Sequence, residues 1–301
     1  MDKIYKMIPM AAAAGLLAAA VTSCYKEDPL TPDESVPQYV IEDSDDPGQH
    51  YLYEFCRNTG VYILSEYEDV DYIWNVNSES SYTLTRMDPA ILDDAVEYLR
   101  SVLTDLYGTG FAGKYFPYKI LLADTIESNY FEDAVCGYGR SYLAVGRLRS
   151  DVLSGMTPAQ ILENLGAING MLWGNFIYAN NLITVPENFF TPSQDYYGQN
   201  VTNVFPDDDP ETAIKKTGMW KFDPTGVYDT MLPDEEGDVA GFVETILTHT
   251  EEEIKAEMEG FDILLVKYNA LIDAVKDACG IDLQEIGNRN VERFGSLGPA
   301  E

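Results

Sequence analysis

The sequence predicts an α+β fold, with a small mixed sheet and helices near the N-terminus and a helical C-terminal half. Three observations support this prediction. Runs rich in β-branched and aromatic residues at 61–67 and 118–123 are typical of strands. Apolar residues recur at helical spacing through 91–106 and again after residue 157. No internal repeat interrupts this order, so we expect one domain of ordinary size.

The first 23 residues are predicted to be a secretion signal outside the fold. Lys3 and Lys6 give a positive start, and the apolar run from Met7 to Val21 is too short for an ordinary membrane span. This run leads into Val21-Thr22-Ser23-Cys24, which is typical of a bacterial lipobox. We therefore predict that Cys24 is lipidated and anchors the chain to the membrane. The alternative is a plain signal peptide followed by an unrelated cysteine.

Residues 24–48 are predicted to be a flexible acidic tether. They contain several prolines and the run Glu42-Asp43-Ser44-Asp45-Asp46, with no periodic apolar pattern. The triplet Lys26-Glu27-Asp28 close to the cysteine resembles the surface-export signal of some Gram-negative lipoproteins. We therefore expect an outer-membrane location, with the domain exposed at the cell surface.

The overall charge excludes some partners. The chain has 51 acidic and 19 basic residues and a net charge of −32. Nucleic acids and anionic lipid surfaces are bound by clustered cations, so we expect no nucleic-acid partner and no basic membrane-binding face. Because 46% of the residues are hydrophobic, the chain can form a packed core, unlike a disordered acidic tail.

The globular domain is predicted to span residues 49–286, followed by a frayed tail at 287–301. Its first half alternates between helices and strands. A helix at 51–57 precedes the strand at 61–67, and a second helix begins at Asp88-Pro89 and ends at Gly108. The remaining predicted elements are strands at 118–123 and 138–148 and helices at 157–181, 239–247 and 251–278.

Residues 191–237 are rich in Pro, Gly, Asp and Tyr and have no strong period, which predicts a long functional loop. Exposed aromatic rings there would stack on sugars or anchor a protein partner, whereas packed ones would attach the loop to the core. The sequence leaves both roles open. The aromatic residues in question are Tyr196, Tyr197, Trp220, Phe222 and Tyr228.

Glycines recur every fourth residue on the helix at 157–181, at Gly166, Gly170 and Gly174. Each glycine inside a helix costs about 1 kcal/mol relative to alanine, so three on one face indicate the close approach of another backbone. The cysteines of the domain, Cys56, Cys136 and Cys279, allow at most one disulfide. Three buried thiols are an equal alternative.

Four segments carry a resemblance to a known family: 114–122, 180–190, 242–250 and 280–283. In this order, over residues 49–286, the chain resembles the import-associated zinc metallohydrolase lipoproteins, also described as a zinc-binding metallopeptidase family. The resemblance implies a zincin-like fold and a role beside a TonB-dependent transporter and its surface lipoprotein partner. It also implies capture or processing of glycans or peptides.

Active members of that family carry His-Glu-x-x-His on the long helix, where two histidines bind zinc and the glutamate activates a water. The matching residues here are Gly174-Asn175-Phe176-Ile177-Tyr178, and no histidine occurs between residues 51 and 248. Glu244 matches the third ligand. The resemblance therefore implies a degenerate member with no metal and no cofactor, zinc being expected in active relatives only. We expect Gly174, Asn175, Tyr178 and Glu244 to line a ligand cleft.

Three alternatives remain open. One is an active metallohydrolase with an atypical site, for example Glu244, His249 and a distant carboxylate; for His249 itself, we expect a hydrogen-bonding role. Another is a structural or assembly lipoprotein whose cleft has no function. A two-carboxylate glycosidase is the third, but among 51 acidic residues no pair stands out.

Overall fold

The computed structural model of the chain describes residues 39–73 and 82–297. The predicted signal, Cys24 and the first part of the tether lie outside the described residues. From Ile41 onward the described chain belongs to one compact unit. No helix among the described residues is long and apolar enough to cross a membrane.

A small mixed sheet forms the centre of the N-terminal half, in the order β1-β3-β5-β4, with β2 also paired to β3. β3 is parallel to β1 and β5, whereas β2 lies antiparallel to β3 and β4 lies antiparallel to β5. This sheet confirms the predicted α+β class. The strands are β1 (Tyr62–Leu64), β2 (Tyr82–Arg86), β3 (Lys119–Ser128), β4 (Cys136–Gly139) and β5 (Tyr142–Val145).

The single strand predicted at 138–148 is wrong, because the chain turns back at residues 140–141 to form the β4–β5 hairpin. Gly139 allows this arrangement, since a Cβ there would lie 2.2 Å from a ring carbon of Tyr142. The alternation of residue types continues through the turn, so periodicity alone did not locate it.

The described residues of this half also form the helices α1 (Pro47–Thr59), α2 (Leu92–Leu99), α3 (Asp105–Tyr107) and α4 (Thr109–Tyr115). α1 begins earlier than predicted because the Asp46 side chain accepts a hydrogen bond from the Gln49 amide and caps the helix. The predicted helix at 88–106 contains a π-helical segment, Arg100–Thr104. There Asn169 donates a hydrogen bond to the Val102 carbonyl.

The C-terminal half is helical, as predicted. The predicted helix 251–278 is divided near Gly260, which has a φ of 87°. α6 continues into a π-helical segment, Leu172–Tyr178. The helices are α5 (Ser150–Gly155), α6 (Pro158–Met171), α7 (Glu187–Phe190), α8 (Val201–Val204), α9 (Pro210–Thr217), α10 (Glu235–Thr248), α11 (Glu251–Glu257), α12 (Asp262–Cys279) and α13 (Leu283–Phe294).

The predicted tail at 287–301 is wrong for residues 287–294, which belong to α13. Asn290 is buried and donates a hydrogen bond to the Leu247 carbonyl at 3.0 Å. A Cβ at Gly287 would lie 2.0 Å from the Ile246 carbonyl oxygen, so α13 packs directly on the backbone of α10. This close packing, which sequence periodicity does not reveal, keeps the last helix ordered.

Residues 191–234, which we call the 191–234 lobe, contain α8 and α9 around a second, small apolar cluster. The structure shows that most of its aromatic residues attach the lobe to the protein. Tyr196, Tyr197 and Phe222 pack against the small cluster, and Trp220 packs against the main core. Tyr228 differs, because 60% of it is exposed. Within the described chain, all three cysteines are free thiols.

Candidate functional site

The glycine-rich face of α6 and the following π segment packs against α10. A Cβ on Gly170 would lie 2.9 Å from the Ala240 carbonyl oxygen, and one on Gly174 would lie 2.3 Å from that of Glu236. Gly166 similarly faces the side chains of Glu244 and Thr248. The predicted close approach of a second backbone is confirmed. At residue 174, therefore, the α10 backbone occupies the space that any side chain would need.

Asn175 and Tyr178 lie near the first turn of α10. The Tyr178 hydroxyl donates a hydrogen bond to Glu235 Oε2 at 2.8 Å. Burial, and then the neighbouring Glu235, raise the pKa of Tyr178, so the phenol stays protonated. The Asn175 side chain lowers the pKa of both Tyr138 and Glu236, against the larger effect of burial, which raises them. The Tyr178 hydroxyl is therefore engaged by a protein carboxylate.

Glu244 faces Gly166 and Gly170 rather than Tyr178. It lies nine residues after Glu235 on α10, which corresponds to about 13 Å along the helix axis. Its carboxylate forms an ion pair with Lys221, with Oε1 and Nζ 3.1 Å apart. The structure thus brings Gly174, Asn175 and Tyr178 together and leaves Glu244 outside their surroundings.

A surface cavity of about 390 Å³ lies beside Tyr178. Tyr178 is the one predicted cleft residue among its lining residues. Burial, and then the charge of Asp234, raise the pKa of Glu236, and Asn175 partly opposes this shift. The lining residues are Tyr178, Ala179, Asn181, Asp234, Glu235 and Glu236.

The loop predicted at 191–237 is wrong for its last residues, because Asp234-Glu235-Glu236 begins α10. Asp234 accepts a hydrogen bond from the Gly237 amide and caps α10, while Glu235 and Glu236 occupy the first helical turn. An acidic triplet immediately before an apolar helical pattern is a helix-start signal, because carboxylates are favourable at the positive end of a helix. That signal was present in the sequence.

The residues do not fit a zinc site. Position 174 has no room for a ligand, Tyr178 is a protonated phenol, and Glu244 is paired with Lys221. Across residues 39–73 and 82–297, no group of three or more His, Cys, Asp or Glu side chains is arranged to hold a metal ion.

Both histidines form hydrogen bonds with neighbouring protein groups. His249 is buried, and its Nδ1 lies 3.0 Å from both the Thr245 carbonyl oxygen and Thr248 Oγ1. This is the hydrogen-bonding role expected from the sequence. His50 is exposed and contacts Asp43 at 2.7 Å.

The sequence did not reveal a buried ion pair that links α10 and α12. Lys267 of α12 and Asp238 of α10 form a fully buried ion pair, with Nζ and Oδ2 2.5 Å apart. Tyr197 also donates to Asp238 Oδ2, and Lys267 donates to Ser193, so the pair links α10 and α12 to the 191–234 lobe. Burial lowers the pKa of Lys267 and raises that of Asp238, while their mutual attraction opposes both shifts.

Comparison with known proteins identifies a similar fold. A crystal structure from Bacteroides caccae, described as a "putative zinc-binding metallo-peptidase", superimposes with a TM-score of 0.56 at 14% sequence identity. The match covers 85% of this chain and 95% of that one. The chain has a metallopeptidase-like fold. No family model and no curated protein sequence matches it.

This likeness confirms the metallopeptidase-like fold expected from the resemblance. At 14% identity, it shows the fold alone. The chemistry of the chain must therefore be argued from its own residues.

Proposed function

We propose that this chain is a surface lipoprotein of the outer membrane that binds its ligand without hydrolysing it. One observation carries the proposal: the helix face that would hold a metal is packed against α10, with the Glu236 carbonyl 2.3 Å from where a Cβ of Gly174 would lie. A zinc enzyme needs ligands and an open coordination position for water or substrate. This arrangement offers neither.

The cellular setting follows from the sequence. The lipobox at Cys24 and the acidic tether support a lipid anchor with the domain facing outward. The family resemblance supports a place beside a TonB-dependent transporter and its surface lipoprotein partner, in the uptake of glycans or peptides. The metallopeptidase-like fold supports the same family assignment.

The cavity beside Tyr178 is the proposed ligand site. Its three acidic side chains accept hydrogen bonds from sugar hydroxyls or peptide amines, and they repel anions. Because Tyr178 and Glu235 are hydrogen-bonded to each other, the site is preorganised. Glu244, which the sequence placed in the cleft, is not part of this cavity.

The first test is metal content. Purified protein incubated with zinc chloride and then desalted is expected to retain much less than one equivalent of zinc, by elemental mass spectrometry. It is also expected to leave peptide and oligosaccharide substrates uncleaved. Stoichiometric zinc together with hydrolysis would establish an active metallohydrolase and overturn the proposal.

The second test is binding to glycan and peptide panels. Tyr178→Ala and Glu235→Gln are expected to weaken binding, whereas Glu244→Gln serves as the matched control and leaves it unchanged. If neither panel yields a ligand, an assembly or structural role replaces the binding role. In cells, Cys24→Ala is expected to remove the protein from the membrane fraction; retention there would refute the lipid anchor.

A further inference from the structure

The 191–234 lobe carries a second cavity, of about 630 Å³, which shares no lining residue with the cavity beside Tyr178. This volume lies in the range typical of small-molecule sites. The lining residues are neutral and polar, apart from two larger apolar or aromatic side chains and one carboxylate. They are Asn200, Thr202, Asn203, Val227, Tyr228, Asp229 and Thr230.

The walls of this cavity are held by a network of hydrogen bonds. The Val201 amide donates to the Thr230 carbonyl at 3.0 Å, and the Thr230 hydroxyl donates to Asn200 Oδ1 at 3.0 Å. Asn200 and Met231 form an isolated antiparallel bridge. The two chain segments that face the cavity are thus fixed to each other before any ligand arrives, which lowers the entropy cost of binding.

The Tyr228 ring is the conspicuous part of the cavity. It is 60% exposed, and the neighbouring Val227 is 85% exposed. The other aromatic residues singled out in this segment are packed against apolar clusters, so attachment to the core does not explain Tyr228. A flat ring with one apolar face and a polar hydroxyl suits a ligand that is itself apolar on one face and polar at its edge.

The remaining lining groups narrow the ligand class. Asn203 offers both an amide donor and an acceptor, Thr202 a hydroxyl and Asp229 a carboxylate, and all three side chains are exposed. Since no Lys, Arg or His lines the cavity, an anionic ligand has no counter-charge. A single carboxylate is also too few for a cation site built on carboxylates.

From this combination, we propose that the cavity binds a neutral sugar ring, with its C–H face stacked on Tyr228 and its hydroxyls hydrogen-bonded to Asn203 and Asp229. Sugar hydroxyls are both donors and acceptors, so amide and carboxylate groups satisfy them together. This inference goes beyond the proposed function, because it requires neither the membrane anchor nor the cavity beside Tyr178.

The test uses purified protein and defined probes: the methyl glycosides of glucose, galactose and mannose, the disaccharides cellobiose and maltose, and a tetraalanine peptide. Binding is measured by saturation-transfer NMR and titration calorimetry. At least one sugar is expected to bind. Tyr228→Ala is expected to weaken that binding about tenfold or more, while Tyr228→Phe retains the stacking face and most of the affinity.

Control variants test whether the sugar binds at this cavity or at another surface. Tyr130 is 64% exposed on a different part of the chain, so Tyr130→Ala is expected to leave sugar binding unchanged. Each variant is also measured in the Tyr178→Ala background, so that the cavity beside Tyr178 contributes less to the measured sugar binding. In that background Asn203→Ala should weaken binding. Thermal unfolding of each variant confirms that it is folded.

Three results would overturn this inference. They are the absence of binding to every sugar probe, sugar binding in the Tyr178→Ala background that Tyr228→Ala leaves unchanged, and binding of the peptide alone. None of them concerns zinc or hydrolysis, so failure here is distinguishable from failure of the proposed function. Loss of sugar binding in Glu235→Gln but not in Tyr228→Ala would assign the ligand to the other cavity.

Discussion

The glycine face between α6 and α10 is tightly packed, whereas the surface of the 191–234 lobe is open to solvent. Between the two helices, backbone lies directly against backbone, and a Cβ at Gly174 would approach a carbonyl oxygen to 2.3 Å. On the lobe, a tyrosine and a valine face solvent beside a cavity of about 630 Å³.

The tightly packed helix face stabilises the fold, and the surfaces that could bind a ligand lie elsewhere. The glycine-rich face of α6 and its π segment is a packing surface against α10. Open cavities lie instead at its end, beside Tyr178, and on the lobe.

The largest expected effect comes from breaking the ionic group that joins the two regions. Lys267→Met leaves Asp238 buried without its cation, and we expect a loss of about 3–5 kcal/mol in the free energy of unfolding. The double variant Asp238→Leu, Lys267→Met is expected to lose less, because no charge remains buried. Urea unfolding measures both; equal losses would contradict the charge-pair explanation.

A smaller effect tests the closed helix face. Gly174→Ala places a methyl group against the α10 backbone, and we expect a loss of about 2–3 kcal/mol. Gly110→Ala is the matched control, because no atom lies within 4 Å of its Cβ position, and it is expected to stabilise the protein by about 0.5 kcal/mol. If both substitutions stabilised the protein to a similar extent, α6 and α10 could move apart at little cost, and the prediction would be wrong.

The smallest expected effect concerns pH at the cavity beside Tyr178. Burial, and then Asp234, raise the pKa of Glu236, so the folded state holds its proton to a higher pH than the unfolded state does. Linkage then requires stability to fall as pH rises through this window, just above the ordinary glutamate pKa. Glu236→Gln is expected to remove this fall.

Thermal unfolding between pH 4 and 7 measures this difference as a change in slope between the variant and the parent protein. Glu235→Gln is the comparison variant, because its carboxylate is exposed and accepts the Tyr178 hydrogen bond. A parent protein whose stability rises through this window more steeply than that of Glu236→Gln would contradict the prediction.

Local signals in the sequence predicted much of the fold. Capping groups and apolar periodicity indicated α6, and the β-branched run at 118–123 indicated β3. Signals that depend on distant contacts were misread. The order of α13 depends on its packing against α10. The turn after Gly139 and the division at Gly260 have local glycine signals, which the continuing apolar periodicity masked.

The candidate sites divide in the same way. The sequence singled out Tyr178 through the family resemblance, and Tyr228 as one of several aromatic residues. It did not show that Glu244 is paired with Lys221, or that only one of the five aromatic residues singled out in the lobe remains exposed. Ion pairs between elements are decided by how the helices pack, which residue order does not encode locally.

The sequence by itself determined the acidic charge, the α+β class, the glycine face and the absence of histidine between residues 51 and 248. These properties follow from composition and from spacing along one element, where interactions are local. Only the tertiary structure decided that α10 fills the space above Gly174 and that Tyr228 borders an open cavity. Such features depend on which distant segments meet, because van der Waals packing and burial act between neighbours in space.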